Sequence, residues 1–368
     1  MLQSKEEKCM KRKFNRIFLV LSGIFIMILA VSSLVMVLFF PELLSFGTSD
    51  NGEATKELFA MDTYITMTAH GWDAETAVAE AADKLTELEQ LWSVTEPESE
   101  IYAVNQSNGQ AVSVSSETED LLSFALQMAE KTKGALEPTI YPVLKAWGFT
   151  TEENRVPSDF EITELLKNVG YERVHMEDGS VWLENGIMLD LGAVGKGYAG
   201  DLAAQILRDN GITSALLDLG GNIQTIGTKP DGSFWKLGLQ APFSEGTLGI
   251  LEISNKAVVT SGAYERYFIG EDGKRYGHII DPVTGYPAEN GLASVTVIAD
   301  EGRLCDALST SLFVMGADRA MEYWQLHQNF DMILITEDGE IYLTDGIADM
   351  FTLDSYHSNM KVNVIEDE

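Results

Sequence analysis

The stretch LDLGAVGKGYAGDLAAQIL, Leu189 to Leu207, constrains the fold of this chain more than any other. Gly195, Gly197 and Gly200 spell G-x-G-x-x-G between an apolar run and a helix-like run. A dinucleotide-binding turn here would require a parallel, doubly wound sheet, and Asp218 stands about where a ribose-binding acid would sit. A packing turn would leave the sheet free to be antiparallel, the small residues serving close backbone approach. The residues Gly192, Ala193 and Val194 separate the apolar run from the first glycine, which weakens the nucleotide reading. A phosphate-binding P-loop is excluded, because Gly197 rather than Ser or Thr follows Lys196. What the glycine pattern ignores is the pair of opposite charges, Asp190 and Lys196, flanking the turn. A lysine beside a helix N-terminus suits a diphosphate.

The rest of the chain favours the antiparallel alternative. Residues 57–71 alternate apolar and polar side chains and read as a strand. Helical spacing runs over 74–92, over 115–134 after Ser capping options, over 159–170, and over 302–328 in two helices. Residues 93–107 read as a loop, and 135–149 as a segment broken around Pro138 and Pro142. Paired strands are expected over 174–191, and further strands over 212–227, 235–242, 248–262, 266–281, 294–300, 330–338 and 340–346. Helices and strands mix without a strict βαβ repeat, which predicts an α+β fold.

The N-terminus is a separate object. Residues 1–16 hold six Lys or Arg against two Glu, and Ile17 to Phe40 is a run of 24 residues without a charge. Such a run exceeds the roughly 20 residues that span a bilayer, and the basic flank predicts a cytoplasmic start with the remainder outside. Its length and the bulky Phe39-Phe40-Pro41 end favour an uncleaved anchor over a signal peptide. Cys9 precedes the run, so a lipoprotein anchor is excluded. The expected organisation is a basic segment at 1–16, a transmembrane anchor at 17–40, a linker at 41–56 and one catalytic domain at 57–368. With a net charge of −32 overall, the domain beyond the basic segment is still more acidic. Nucleic acid and anionic lipid are therefore poor partners. Cys9 and Cys305 are the only cysteines and would lie on opposite sides of the membrane, which excludes an internal disulfide and a Cys-based zinc site.

Two further stretches read either as chemistry or as ordinary structure, a turn in the first and a helix start with an inward-packed Thr310 in the second. YGHIIDPVTGYPA holds His278 three residues before the Asp281-Pro282 turn, a group that titrates near neutrality at a strand end. CDALSTSLF puts Asp306 and Thr310 on one helix face, an oxygen set that suits Mg²⁺ rather than zinc.

FAMDTYITM, WSVTEPESEIYAVN, KTKGALEPTIYPVLKAWGF, LDLGAVGKGYAGD, LLDLGGNI, HIIDPVTGYP and CDALSTSLFVMG follow one another in an order that resembles the ApbE family, the FAD:protein FMN transferases. The resemblance covers roughly residues 55–345. It implies a two-lobed α+β domain with FAD in the cleft and Mg²⁺ bridging its diphosphate. By motif position it implies that Met61 packs on the flavin side and that Thr95 stands where other members set a larger residue against the cofactor. Leu136, Glu137 and Pro138 would border the FAD, with polar contacts from Asp190 and Lys196 and a further contact from Ile280. For the metal it implies the carbonyl of Ala193, Asp306 and Thr310. Ser309 stands where many members carry a second Asp, and is a weaker ligand. His278 would be the base that deprotonates a Thr or Ser hydroxyl on an acceptor flavoprotein, such as a subunit of an ion-pumping redox complex. FMN would pass to that hydroxyl and AMP would leave. An FAD pyrophosphatase and a non-enzymatic FAD-binding surface protein are the alternatives. SGAYERY (261–267) reads as a structural turn.

Overall fold

The first strand predicted from the sequence is two strands. β1 (Glu53–Ala60) and β2 (Thr63–His70) form a hairpin with full register from Glu53↔His70 to Ala60↔Thr63. Met61 and Asp62 make its two-residue turn, with φ of 53° and 62°. Both left-handed residues match the primed turns whose twist suits a hairpin. The computed structural model describes residues 52–151 and 153–367. The basic segment and the apolar run expected at 1–40 lie outside the described residues, as does the linker up to Asn51. Of the remaining linker residues, Glu53 to Lys56 belong to β1. Among the described residues no helix is long and apolar enough to cross a membrane.

Helix α1 (Ala74–Trp92) follows, then α2 (Glu100–Gln106), the short β3 (Val112–Ser113), α3 (Ser116–Lys131), α4 (Tyr141–Trp147) and α5 (Asp159–Leu166). The hairpin β4 (Val174–Glu177) and β5 (Ser180–Leu183) leads to α6 (Gly195–Asp209). Strands then dominate: β6 (Ser214–Leu219), β7 (Asn222–Ile226), β8 (Trp235–Gln240), β9 (Thr247–Ile253) and β10 (Ala257–Gly262). After them come β11 (Tyr267–Ile269), β12 (Arg275–Gly277) and β13 (Leu292–Ala299). Helices α7 (Gly302–Met315) and α8 (Ala317–His327) precede β14 (Asp331–Thr336), β15 (Ile341–Thr344), β16 (Phe351–Leu353) and β17 (Val362–Ile365).

The main sheet has nine strands in the order β1-β2-β6-β7-β10-β13-β14-β15-β17. Every neighbouring pair is antiparallel except β15 with β17. A doubly wound nucleotide fold is thereby excluded, and the predicted α+β class holds. Register follows burial. Ile65, Met67 and Ala69 of β2 stand opposite Leu219, Leu217 and Ala215 of β6. All six turn to the helices, where Ala77, Ala81, Leu85 and Leu88 of α1 close the core. On the opposite face, β8 alternates buried Trp235, Leu237 and Leu239 with exposed neighbours. The small sheet β16-β9-β8 covers that face over Val258, Ile298 and Ile333. β13, covered on both sides, is buried at every position. A third, smaller core joins Val143 and Trp147 of α4, Phe149, Ile162 of α5, Tyr276 and Ile280. The Trp147 indole N–H donates to the Gly285 carbonyl at 2.8 Å, pinning the Asp-Pro turn to this core.

Two glycines of the opening stretch serve close packing of α6, Gly197 against α7 and Gly200 against β7. A Cβ on Gly197 would lie 2.2 Å from the Gly302 carbonyl oxygen, and one on Gly200 would lie 2.5 Å from Gln224 Nε2. Neither would fit without moving backbone or a buried amide. Gly195 differs, since its Cβ would meet nothing nearer than Trp92 at 3.8 Å. Gly197→Ala is expected to cost about 1–3 kcal/mol through forced separation of the helices. Gly195→Ala is expected to change stability by less than about 0.5 kcal/mol. Denaturant melts of both variants check this, and equal losses would contradict the packing role.

Candidate active site

The loop entering α6 is held from both sides before any ligand is considered. Asn105 of α2 grips Leu189 with two hydrogen bonds. Its Nδ2 donates to the Leu189 carbonyl at 2.8 Å and its Oδ1 accepts the Leu189 N–H at 2.6 Å. The next amide, of Asp190, donates to the Pro138 carbonyl at 2.8 Å. The WSVTEPESEIYAVN and ALEP segments are thus scaffolds for this loop as much as ligand contacts. Asp190 Oδ1 accepts the Gly192 N–H at 2.8 Å, closing a small turn below Ala193. Loss of water around the carboxyl raises its pKa, while Arg266 and the Gly192 hydrogen bond draw it back.

The seam between α6 and α7 sets Asp306 of α7 against the start of α6, with Ser309 and Thr310 on the same helix. Asp306 is 5% exposed, and its Oδ2 accepts the Gly197 N–H at 2.8 Å. Burial raises its pKa, and the Lys196 charge is the largest opposing influence. Ser309 donates to the Asp306 carbonyl at 3.0 Å and accepts from Ser261 of β10 at 2.9 Å. The Ser261 hydroxyl also lies 3.4 Å from the Thr310 hydroxyl. Asn222 of β7 lies beside Asp306, 1% exposed, with neither side-chain amide atom within hydrogen-bond reach of a partner. Asp201, the last residue of the GKGYAGD motif, accepts the Gly302 and Arg303 amides at 2.6 and 2.9 Å. It caps α7 at its start, and burial pushes its pKa up to about 6.

His278 follows β12 and pairs its main-chain N–H with the Arg266 carbonyl at 3.1 Å. Its Nδ1 lies 3.1 Å from the Arg266 carbonyl oxygen. A carbonyl can only accept, so Nδ1 carries the proton and Nε2 is left with its lone pair. Burial lowers the pKa to about 4, so the ring is neutral at pH 7. Glu265 stands at the exposed rim. Desolvation pushes its pKa up to about 7, with Lys196 pulling it down and Asp306 pushing it up.

The remaining residues named from the sequence fall into different positions. Met61 forms the hairpin turn, its N–H donating to Glu89 Oε1 at 2.8 Å. Thr95 is exposed beside Ser93, with hydroxyls 3.1 Å apart. Leu136 is buried in the main core. Glu137 is occupied by its own loop: Oε1 accepts the Thr139 N–H at 2.9 Å and hydroxyl at 2.6 Å, and Oε2 accepts the Tyr171 N–H at 3.2 Å. Ile280 is buried in the third core and bridges to Pro287. The sequence did not single out Asn105, Ser261, Asn222 or Arg266 as parts of the site. Their signal was present in the motifs, but only distances between motifs reveal the contacts.

The donor chemistry fits a hard ion on a phosphate. Among the described residues no three His, Cys, Asp or Glu side chains cluster as a metal cage. The seam instead offers one buried carboxylate, neutral oxygens and an orphaned amide, with Lys196 alongside. One carboxylate with neutral oxygens is a donor set that would suit a hard cation such as Mg²⁺.

The ApbE family model matches residues 61–334. The FAD:protein FMN transferase of Treponema pallidum is 34% identical over 296 residues, 75% of this chain and 82% of the relative. The crystal structure of the ApbE protein from Thermotoga maritima is 34% identical, with a TM-score of 0.77 over 81% of this chain and 99% of that one. The flavin transferase ApbE from Vibrio cholerae is 28% identical, with a TM-score of 0.74 over 81% and 99%. The fold, the motifs that build the seam and these likenesses agree: the chain is a transferase and belongs to the ApbE family of flavin transferases.

Proposed function

We propose that this chain transfers FMN from FAD to a Thr or Ser hydroxyl of an acceptor flavoprotein and releases AMP. The observation that carries the reading is the hydrogen bond between His278 Nδ1 and the Arg266 carbonyl at 3.1 Å, which leaves Nε2 with its lone pair. The FAD substrate would lie along the 189–196 loop, with Asp190 and Lys196 as its polar contacts. Met61 and the 136–138 segment would line the flavin side, with Thr95 and Ile280 at the margins. Asp306, Ser309, Thr310 and the Ala193 carbonyl would hold Mg²⁺, whose role is to neutralise the diphosphate. In the transfer the acceptor oxygen attacks the phosphorus nearest riboflavin. The bond to the AMP phosphate breaks, and the hydroxyl proton passes to His278 Nε2. Lys196 offsets the charge that accumulates on the departing phosphate. The acidic surface and the uncharged run at 17–40 support an enzyme held at the membrane with its catalytic domain outside, beside membrane-bound redox acceptors.

His278→Ala is expected to lower the rate of acceptor flavinylation by about 10²–10⁴-fold while FAD still binds. Transfer at the wild-type rate would remove His278 from the role. Because its pKa is held near 4, the ring stays neutral as pH falls from 7 to 5. The acid limb of kcat/KM that reports His278 is therefore expected near pH 4, and a limb at an ordinary histidine value of about 6.5 would contradict the buried, neutral base. Asp306→Ala is expected to raise the Mg²⁺ concentration required for half-maximal transfer by at least about tenfold, measured by metal titration. Ser309→Asp, which adds a carboxylate beside Ser261 and Asp306, is expected to lower it. An unchanged requirement in both variants would move the metal elsewhere.

A further inference from the structure

Arg266 lies in the SGAYERY turn, yet its contacts reach three separate parts of the domain. Its carbonyl accepts two hydrogen bonds from His278, from the main-chain N–H at 3.1 Å and from Nδ1 at 3.1 Å. Its guanidinium donates from Nη1 to Asp62 Oδ2 at 3.2 Å and from Nη2 to the Phe149 carbonyl at 2.5 Å. Asp62 belongs to the left-handed turn beside Met61, which Glu89 of α1 holds in place. Phe149 in turn sets its ring edge-on to the His278 ring, with centroids 6.4 Å apart.

We propose that Arg266 is a positioning residue of the transfer site, fixing His278 with Nδ1 protonated and Nε2 free. Its guanidinium holds the carbonyl that selects this tautomer, through Asp62 and Phe149. The inference rests on the reading of His278 as the base. Before Arg266 the turn is held by long backbone bonds, from the Ala263 and Glu265 amides at 3.3 Å, and after it the chain enters the β11–β12 pairing at Tyr267. The ion pair with Asp62 is exposed, with 52% and 75% of the two side chains accessible, so it adds little to stability. Its consequence is geometric. A base whose tautomer is set by the hydrogen bond of its other nitrogen loses that setting when the acceptor moves. The charged groups acting on the ring are Arg266 itself and Lys196 of α6, and both oppose protonation.

The test compares Arg266→Gln, Arg266→Lys, Asp62→Asn and His278→Ala in the full chain, with FAD, Mg²⁺ and a co-purified acceptor. Arg266→Gln is expected to lower kcat at least about tenfold with KM for FAD changed by less than about threefold. It should also move the acid limb of kcat/KM upward, because one of the two cations facing the ring is gone. Arg266→Lys restores the charge and one of the two contacts, so the acid limb returns and part of kcat is recovered. Asp62→Asn keeps the cation and lowers kcat without raising the limb. Nitrogen-15 NMR of the histidines is expected to show one tautomer at His278 in the wild type and a mixture in Arg266→Gln. A wild-type kcat, pH profile and tautomer in Arg266→Gln, with His278→Ala inactive, would overturn the positioning role alone. Wild-type transfer by His278→Ala would overturn both this role and the reading of the base.

Discussion

One buried hydrogen bond underlies the whole site, from the Gly197 N–H at the start of α6 to Asp306 Oδ2 on α7 at 2.8 Å. It can form only because both helices begin with glycine where they touch, Gly197 against Gly302. The close approach brings the N-terminus of α6 and a buried carboxylate to one place. Asp201 repeats the arrangement in reverse, reaching from α6 to the first amides of α7. The two helices therefore cap each other, and the oxygens of Asp306, Ser309 and Thr310 inherit their positions from that exchange.

The electrostatics of the seam follow from its burial. Asp306 and Asp190 both lose water, which raises the cost of their charges, and each has one cation nearby, Lys196 and Arg266 respectively. Burial keeps His278 neutral, and the same cations act in the same direction. Under the proposed function, a site that holds carboxylates and cations together while leaving its histidine uncharged suits two tasks. It can receive a polyanion without a surplus of negative charge, and it can take up a proton from a hydroxyl. The Asn222 amide, buried beside Asp306, is left without a close partner.

Much of this was legible in the chain because the elements are strongly patterned. The helices at 74–92 and 302–315, the β4–β5 hairpin and the alternation of β8 follow apolar spacing directly. The misreadings have physical causes. The β1–β2 turn is Met-Asp, with neither Gly nor Asn to announce two left-handed residues, so the hairpin read as one strand. α4 begins with Tyr141-Pro142, and the proline that read as a break is tolerated in the first turn, where its missing N–H has no partner to lose. α2 is only seven residues long, though Ser99 caps it by accepting the Tyr102 N–H. The site residues split along a similar line. Asp190, Lys196, Asp306 and His278 carry charge or titrate and draw attention in sequence. Asn105, Ser261 and Asn222 matter through partners between 40 and 90 positions away, and no local pattern contains that information.

The glycine-rich turn that could have specified a nucleotide fold instead sets the spacing of two helices, and the charges beside it are the ones the proposed transfer would use. The central claim is that this seam moves FMN onto another protein rather than onto water. It is tested most directly by intact-mass measurement of a candidate acceptor flavoprotein incubated with the enzyme, FAD and Mg²⁺. The account predicts an acceptor heavier by one FMN residue, with one AMP released for each modified protein. An unmodified acceptor in a reaction that still converts FAD to free FMN and AMP would contradict it.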